Sequence, residues 1–219
     1  MVVGADLVNM GLVESLARPG RNVTGVSMEF AQDLWVKRLE LLRETTPALS
    51  RIALLVPRFM WDRQWDWTGV RQVREMAPRL GVTLISALLD DPIQPPVYRR
   101  VFAGMIDQGV EAALVGDAAA NYVYAPLIAE LATANRLPAM GSFREFAMAG
   151  GLMSYGSDVA EGYRVAAGYV ARILQSEKPA EMPIRLVDKY EFVINLKTAR
   201  ALDLTVPSAI LARADEVIE

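Results

Sequence analysis

Hydrophobic positions along the middle of the chain follow two alternating patterns. Short, nearly continuous apolar runs stand at "RIALLV" (51–56), "VTLISALL" (82–89), "VEAALVG" (110–116), "LPAMGS" (137–142) and "GLMSYG" (151–156). Runs of this length without polar alternation predict strands covered on both faces, as in a parallel sheet. Between them apolar residues recur at helical spacing: Val70, Val73, Ala77 and Leu80, then Val101, Phe102, Met105 and Ile106, then Leu127, Ile128 and Leu131. Gly81 and Gly109 stand where the first two of these helices should stop, the place of a C-terminal cap glycine. Strand, helix and strand in succession are βαβ units, so the middle of the chain predicts an open α/β lobe with a parallel, Rossmann-like sheet.

The flanks carry helices with no obvious strands to cover. "AQDLWVKRLELLRETTPALS" places Trp35, Leu39 and Leu42 on one helical face, with Pro47 as the stop, and the basic pairs Lys37-Arg38 and Arg99-Arg100 read as solvated helix faces. "DVAEGYRVAAGYVARILQSEKP" offers Ser157 or Asp158 as N-cap and Glu161 in the first turn, with a stripe of Tyr163, Ala166, Ala167, Val170 and Leu174. "YEFVINL" predicts a strand and "LKTARALDL" a short helix. "PSAILARADEVIE" predicts a closing helix with Ile210, Leu211, Ala214, Val217 and Ile218 on one side. At the front, "MGLVESLA" predicts a helix closed by Pro19-Gly20, and "NVTGVS" a short strand. One complete lobe with outer pieces of a second accounts for this arrangement.

Composition narrows the chemistry. The 219 residues include no cysteine and no histidine, which removes disulfides, thiol nucleophiles, imidazole bases and the commonest metal ligands. Serine–histidine or cysteine–histidine catalysis cannot be built within this chain, which tilts the expectation toward binding and away from an enzyme. The net charge of -3 gives no reason to expect nucleic acid as partner. No dinucleotide fingerprint or phosphate loop occurs, and "GGLMSYG" lacks the lysine-serine pair, so no cofactor is expected.

Ligands of open parallel sheets bind beyond the carboxyl ends of the strands. The residues falling there are Phe59 and Trp61 after the first run, Asp117 after the third, Ser142 and Phe143 after the fourth, and Tyr155, Ser157 and Asp158 at the fifth; Asp6, Thr24 and Ser27 occupy comparable positions near the front. Trp61, Trp65 and Trp67 are three of the chain's four tryptophans. They read as an aromatic wall for a flat ligand, as structural plugs of the lobe, or as rings that pack against another subunit. Asp117 and Asp158 could accept from a ligand amine or cap a helix, and for Asp158 the cap is the better reading. Ser142 and Ser157 suit a carboxylate near helix N-termini. Arg58, Arg144 and Lys189 read as partners for an acidic ligand or as solvated cations.

Three longer segments carry a resemblance: "GLVESLARPGRNVTGVS", "FREFAMAGGLMSYGSD" and "VINLKTARALDLTVPSAILARADEVIE". Together they resemble the ABC-transporter substrate-binding family that includes tryptophan- and tyrosine-binding lipoproteins. The resemblance implies a type I periplasmic-binding fold, with a small aromatic or hydrophobic amino-acid-like ligand held between two lobes and passed to a membrane permease. It also implies a periplasmic or membrane-anchored, extracytoplasmic setting. On that pattern residues 1–26 are a remnant of lobe one with the first crossover, and 27–150 are lobe two. Residues 151–179 are the return crossover with a lobe-one helix, and 180–219 are shared between lobes. Ser27, Ser142, Tyr155 and Asp158 fall at cleft-facing positions, and Asp6 matches the aspartate that ends a lobe-one strand. Two departures stand out: "GADLV" replaces the family's Gly-Asp-Pro, and "PRFMWDRQWDW" replaces its usual Asn-Pro turn, which implies an unusual ligand. Relatives carry a signal peptide and most of lobe one ahead of this region, so three explanations stand: an internal start, a fragment, or a shortened chain that covers its bare apolar faces by homodimerisation. The alternative is a non-transport interaction or sensory module.

Overall fold

The computed structural model describes residues 2–4, 7–8, 11–27, 34–62, 68–187 and 189–219. They fall into two compact units, one from 1–32 with 157–190 and a larger one from 33–156 with 191–219. The larger unit therefore takes up everything after Tyr190.

In the larger unit the strands are β3 (Arg51–Pro57), β4 (Thr83–Leu89), β5 (Ala112–Val115), β6 (Ala139–Gly141), β7 (Met153–Ser157), β9 (Tyr190–Asn195) and β10 (Glu216–Ile218). They form one sheet in the order β10-β9-β7-β6-β5-β3-β4. The pairs β3–β4, β3–β5, β5–β6, β6–β7 and β9–β10 are all parallel. The five apolar runs thus become β3 to β7. Among β3 to β7 only β4, at the sheet edge, has exposed residues, Thr83 and Ser86, one on each face of the strand.

Helices cover both faces. Tyr98, Phe102 and Met105 of α4 (Pro95–Asp107), Ile128 and Ala129 of α6 (Ala125–Ala134) and Phe146 of α7 (Arg144–Met148) pack on Ala53, Leu55, Ala113 and Val115. Strand side chains alternate, so Ile52, Leu54 and Leu114, all fully buried, face the other layer. In that layer α1 (Leu34–Thr45) packs on α3 (Thr68–Arg79), with the four-residue α2 (Arg58–Trp61) just before it in sequence. Gly69 makes the helix crossing close: a Cβ there would sit 2.4 Å from Trp35 Nε1. Gly81 and Gly109 follow α3 and α4 with φ of 70° and 65°, the left-handed conformation of helix-terminating glycines. The short helices α5 (Ala119–Val123), α9 (Leu196–Ala201) and α10 (Ser208–Leu211) complete this unit.

The smaller unit is a three-stranded parallel sheet in the order β1-β2-β8, from β1 (Val2–Gly4), β2 (Gly25–Ser27) and β8 (Arg185–Leu186). Helix α8 (Val159–Leu174) lies on it through Ala166, which packs with Val26 and Val187.

Three local expectations are corrected. The stripe expected to bury on α8 is largely exposed, with Tyr163 at 61%, Val170 at 40% and Leu174 at 80%. Of that stripe Ala166 alone is buried, and with Gly162 it forms the face that meets the sheet. Residues 11–17 form turns and bends where a helix was expected. Their hydrogen bonds close locally: the Ser15 hydroxyl donates to the Arg18 carbonyl and accepts from the Arg18 N–H, and Glu14 N–H donates to Pro19 O. Such side-chain to backbone bonds compete with helix, and Gly11 at φ 67° breaks the helical path. Finally, the closing helix ends at Leu211, and residues 216–218 form β10. Asp215 holds that strand in place, because its N–H donates to Phe192 O and its carboxylate accepts from Phe192 N–H at 2.8 Å.

Two glycines give opposite predictions. A Cβ on Gly156 would lie 1.7 Å from the Ser142 carbonyl oxygen, a backbone atom that cannot yield. Gly156→Ala should lower stability by about 3 kcal/mol. In α8, Gly168 has nothing within 4 Å of its Cβ position, so Gly168→Ala should be stabilising by roughly 0.5–1 kcal/mol. Calorimetric melts of the two variants check both signs.

Candidate functional site

In the larger unit the carboxyl ends of β5, β6 and β7 form a braced rim. Strand β6 is short, and its pairing with β7 ends at Gly141 opposite Ser154. Beyond that point the backbone groups of neighbouring strands need other partners. Three buried side chains supply them. Arg38, only 2% exposed, donates through Nε to the Tyr155 carbonyl at 2.6 Å and through Nη1 to Asp117 Oδ1 at 2.7 Å. Asn121 donates through Nδ2 to Leu55 O at 3.1 Å and Gly116 O at 3.0 Å, and its Oδ1 accepts from the Tyr98 hydroxyl at 3.0 Å. Burial pushes that phenol far above its usual pKa, so it remains a donor. Ser142 Oγ donates to Val115 O at 3.2 Å.

The arginine corrects the sequence expectation that Lys37-Arg38 is a solvated pair. Lys37 is half-exposed, but Arg38 lies on the same helical face as Trp35, Leu39 and Leu42 and is buried with them. Asp117 beside it keeps 18% of its side chain exposed, so the carboxylate is fixed from below and reachable from above. Next to it, α5 turns Asn121 into the protein and leaves Tyr122 40% exposed. The Tyr122 and Phe143 rings meet edge to face with centroids 5.5 Å apart. The recess behind them, walled by Gly116, Asn121, Gly141 and Phe146, holds only about 10 Å³, close to one water. That recess is too small for an amino-acid-sized molecule. Tyr155 is half-buried and meets Phe192 edge to face at 6.2 Å.

Of the residues marked from sequence, Asp117, Ser142, Phe143 and Tyr155 come together at this rim. Ser142 is 3% exposed and its hydroxyl is spent on Val115 O, so it braces the rim from inside. Phe59 is 46% exposed on α2. Trp61 lies flat against Arg74 of α3, whose guanidinium carbon is 3.6 Å from the ring centroid and whose Nη2 donates to the Trp61 carbonyl. It walls a larger, open hollow of about 560 Å³ shared with Pro78 and residues 81–84, in which no described residue places a carboxylate. Trp65, Trp67 and Asp6 lie outside the described residues.

The smaller unit holds the others. Thr24 is fully buried and its hydroxyl donates to Met182 O at 2.7 Å. Ser27 is fully buried in β2, its carbonyl accepting from Val187 N–H. Asp158 is the N-cap of α8, accepting from Glu161 N–H at 2.9 Å, and pairs with Lys189 at 3.1 Å. The Glu161 N–H above all, and then the Lys189 ammonium, hold its carboxyl below the usual carboxylate range. Sequence reasoning missed Arg38, Asn121 and Tyr122. A charge on an apolar helical stripe was the available signal for the first, and nothing in the sequence marked the other two. Among the described residues no cluster of histidine, cysteine or carboxylates could hold a metal ion, and no helix is long and apolar enough to cross a membrane.

Comparison with known proteins assigns the chain. The pattern of the ABC transporter substrate binding protein family matches residues 1–218. The chain belongs to this family. A relative named tyrosine-binding protein, from Clostridioides difficile, is 27% identical over 95% of this chain, which spans 58% of that protein's length. Among solved structures, the ABC domain from Streptococcus pneumonia in complex with L-Trp superposes with a TM-score of 0.79 at 24% identity, covering 98% of this chain and 71% of that one. A ligand-free, open substrate binding protein with adhesive properties from Clostridium difficile gives a TM-score of 0.66 at 20% identity, covering 100% and 70%. At these identities the likeness establishes the fold: an α/β, mostly parallel sheet of the type I periplasmic-binding architecture. The family is one of non-catalytic substrate-binding proteins.

The Asp158 cap has a defined pH signature. Its folded-state carboxyl titrates below the unfolded value, so its stabilisation is complete above about pH 4 and is lost as pH falls through the lower folded value. Asp158→Asn keeps a capping side chain but loses the charge. Its melting temperature should therefore fall less than that of the parent chain as the solution is acidified below that range.

Proposed function

We propose that this chain is part of a solute-binding protein of an ABC importer, working outside the cytoplasmic membrane. It would carry a small amino-acid-like ligand with an aromatic or other apolar side chain to a membrane permease. The observation that carries this reading is the fixed Asp117 carboxylate beside the Tyr122–Phe143 aromatic surface at the strand ends. A carboxylate offers acceptors to an ammonium group, and an edge-to-face ring pair offers an apolar, quadrupolar face to a side chain. Two relatives support the class: one is named for binding tyrosine, and another was solved with L-Trp. Phe59 adds an exposed aromatic ring after β3 and is the next candidate to touch the ligand. Of the smaller unit's residues, Asp158 remains a candidate, with its charge already shared with Lys189, whereas Thr24 and Ser27 are fully buried.

Calorimetric titration with L-tryptophan, L-tyrosine, L-leucine, L-glutamate and ribose tests the proposal. Binding of the aromatic amino acids is expected, with none of the sugar. Phe143→Ala should weaken the aromatic ligands about tenfold, the value of one well-placed ring contact. Indifference of the chain to every apolar amino acid, by both titration and thermal shift, would sink the reading. So would aromatic binding that Phe143→Ala and Tyr122→Ala leave untouched.

A further inference from the structure

The placement of Arg38 calls for an explanation beyond packing. It stands three residues after Trp35 and one before Leu39 on the buried stripe of α1, where an apolar side chain would serve stability at least as well. Desolvating a guanidinium is costly, and a buried ion pair recovers that cost only with full hydrogen bonding. Here the bonding is directed. One planar group reaches Tyr155 O on β7 and Asp117 Oδ1 after β5, spanning β6, which lies between those strands. A lysine ammonium has no such fixed fork. The guanidinium also lies close under Gly156, with Nη2 3.3 Å from where a Cβ would stand. Trp35 closes it off on another side, its ring centroid 5.8 Å from the guanidinium carbon.

We infer that Arg38 is a positioning residue for the ligand site, aiming Asp117 and setting the charge of the rim so that zwitterions are preferred over bare cations. The inference rests on the reading of this rim as an amino-acid site. An unanswered Asp117 would attract any amine. With Arg38 fixed 2.7 Å behind it, the pair is neutral overall: the carboxylate still accepts from an ammonium, while the buried positive charge favours a ligand carboxylate nearby. A lone cation gains only the first interaction and meets repulsion from the second.

The test compares L-tryptophan with tryptamine, which keeps the indole and ammonium but lacks the carboxylate, on the parent chain and on Arg38→Gln and Arg38→Lys. Arg38→Gln should lower the ratio of L-tryptophan to tryptamine affinity by about tenfold, as removal of one nearby buried charge implies. Arg38→Lys should preserve that ratio while weakening both probes, because the charge stays and the fork is lost. Equal weakening of both probes by Arg38→Gln would mark a purely structural role and overturn the inference. Unchanged L-tryptophan affinity in Arg38→Lys would overturn it as well, and that arm decides the matter where the glutamine variant fails to fold. Should the parent chain bind neither probe, the functional reading fails, and amide hydrogen exchange then judges the positioning of the rim. Faster exchange in Arg38→Lys confined to residues 115–118 and 154–156 supports positioning, and an unchanged or evenly spread pattern refutes it.

Discussion

The rim of the larger unit depends on one buried guanidinium. Parallel strands satisfy one another only as far as their ladders extend, and β6 stops at Gly141 while β5 and β7 continue into loops. Carbonyls left beyond a ladder must find water or a side chain. Arg38, Asn121 and Ser142 answer the carbonyls of Tyr155, Gly116 and Val115, Asn121 adds a second bond to Leu55 O, which already accepts from Gly116 N–H, and the Arg38 bond to Asp117 carries this bracing outward to a group that solvent can reach. The close approach of backbone at Gly156 and Ser142, which no Cβ permits, holds the ends of β6 and β7 together. Each brace works only while the others hold the strands at these separations.

Much of the fold was legible because it rests on local rules. Continuous apolar runs became β3 to β7, helical spacing became α3, α4 and α6, and Gly81 and Gly109 took the left-handed conformation that ends a helix. Asp158 was legible as a cap for the same reason: an acidic side chain three residues before an available N–H is a short-range pattern. The failures are tertiary. Val217 and Ile218 have helical spacing with Ile210 and Leu211, yet pairing with β9 and the Asp215 clamp make them strand. Ser15 and Arg18 close a local loop where apolar spacing suggested helix. Arg38 was misread because surface exposure is the common state of arginine, and only the geometry of β5 and β7 supplies its partners.

The candidate site shows the same division. Position at a strand end marked Asp117, Ser142, Phe143 and Tyr155, and all four lie at the rim. Sequence could not tell which of their polar atoms are already spent. The Ser142 and Thr24 hydroxyls donate inward to Val115 and Met182, whereas Asp117 is only half answered. Nor could it foresee Tyr122, whose exposure follows from its neighbour Asn121 turning inward on a five-residue helix.

A binding protein without catalytic groups gains selectivity from what is fixed before the ligand arrives. At this rim the carboxylate is already oriented, the aromatic pair already packed, and the strand ends already held, so docking need not order them. Preorganisation also sharpens exclusion. A charge that cannot turn away repels its like at full strength, and a carboxylate that is held in place cannot swing to meet a misplaced amine. On the proposed reading, discrimination among amines at this surface comes from Arg38, which no ligand need touch, and affinity for the side chain from Tyr122 and Phe143.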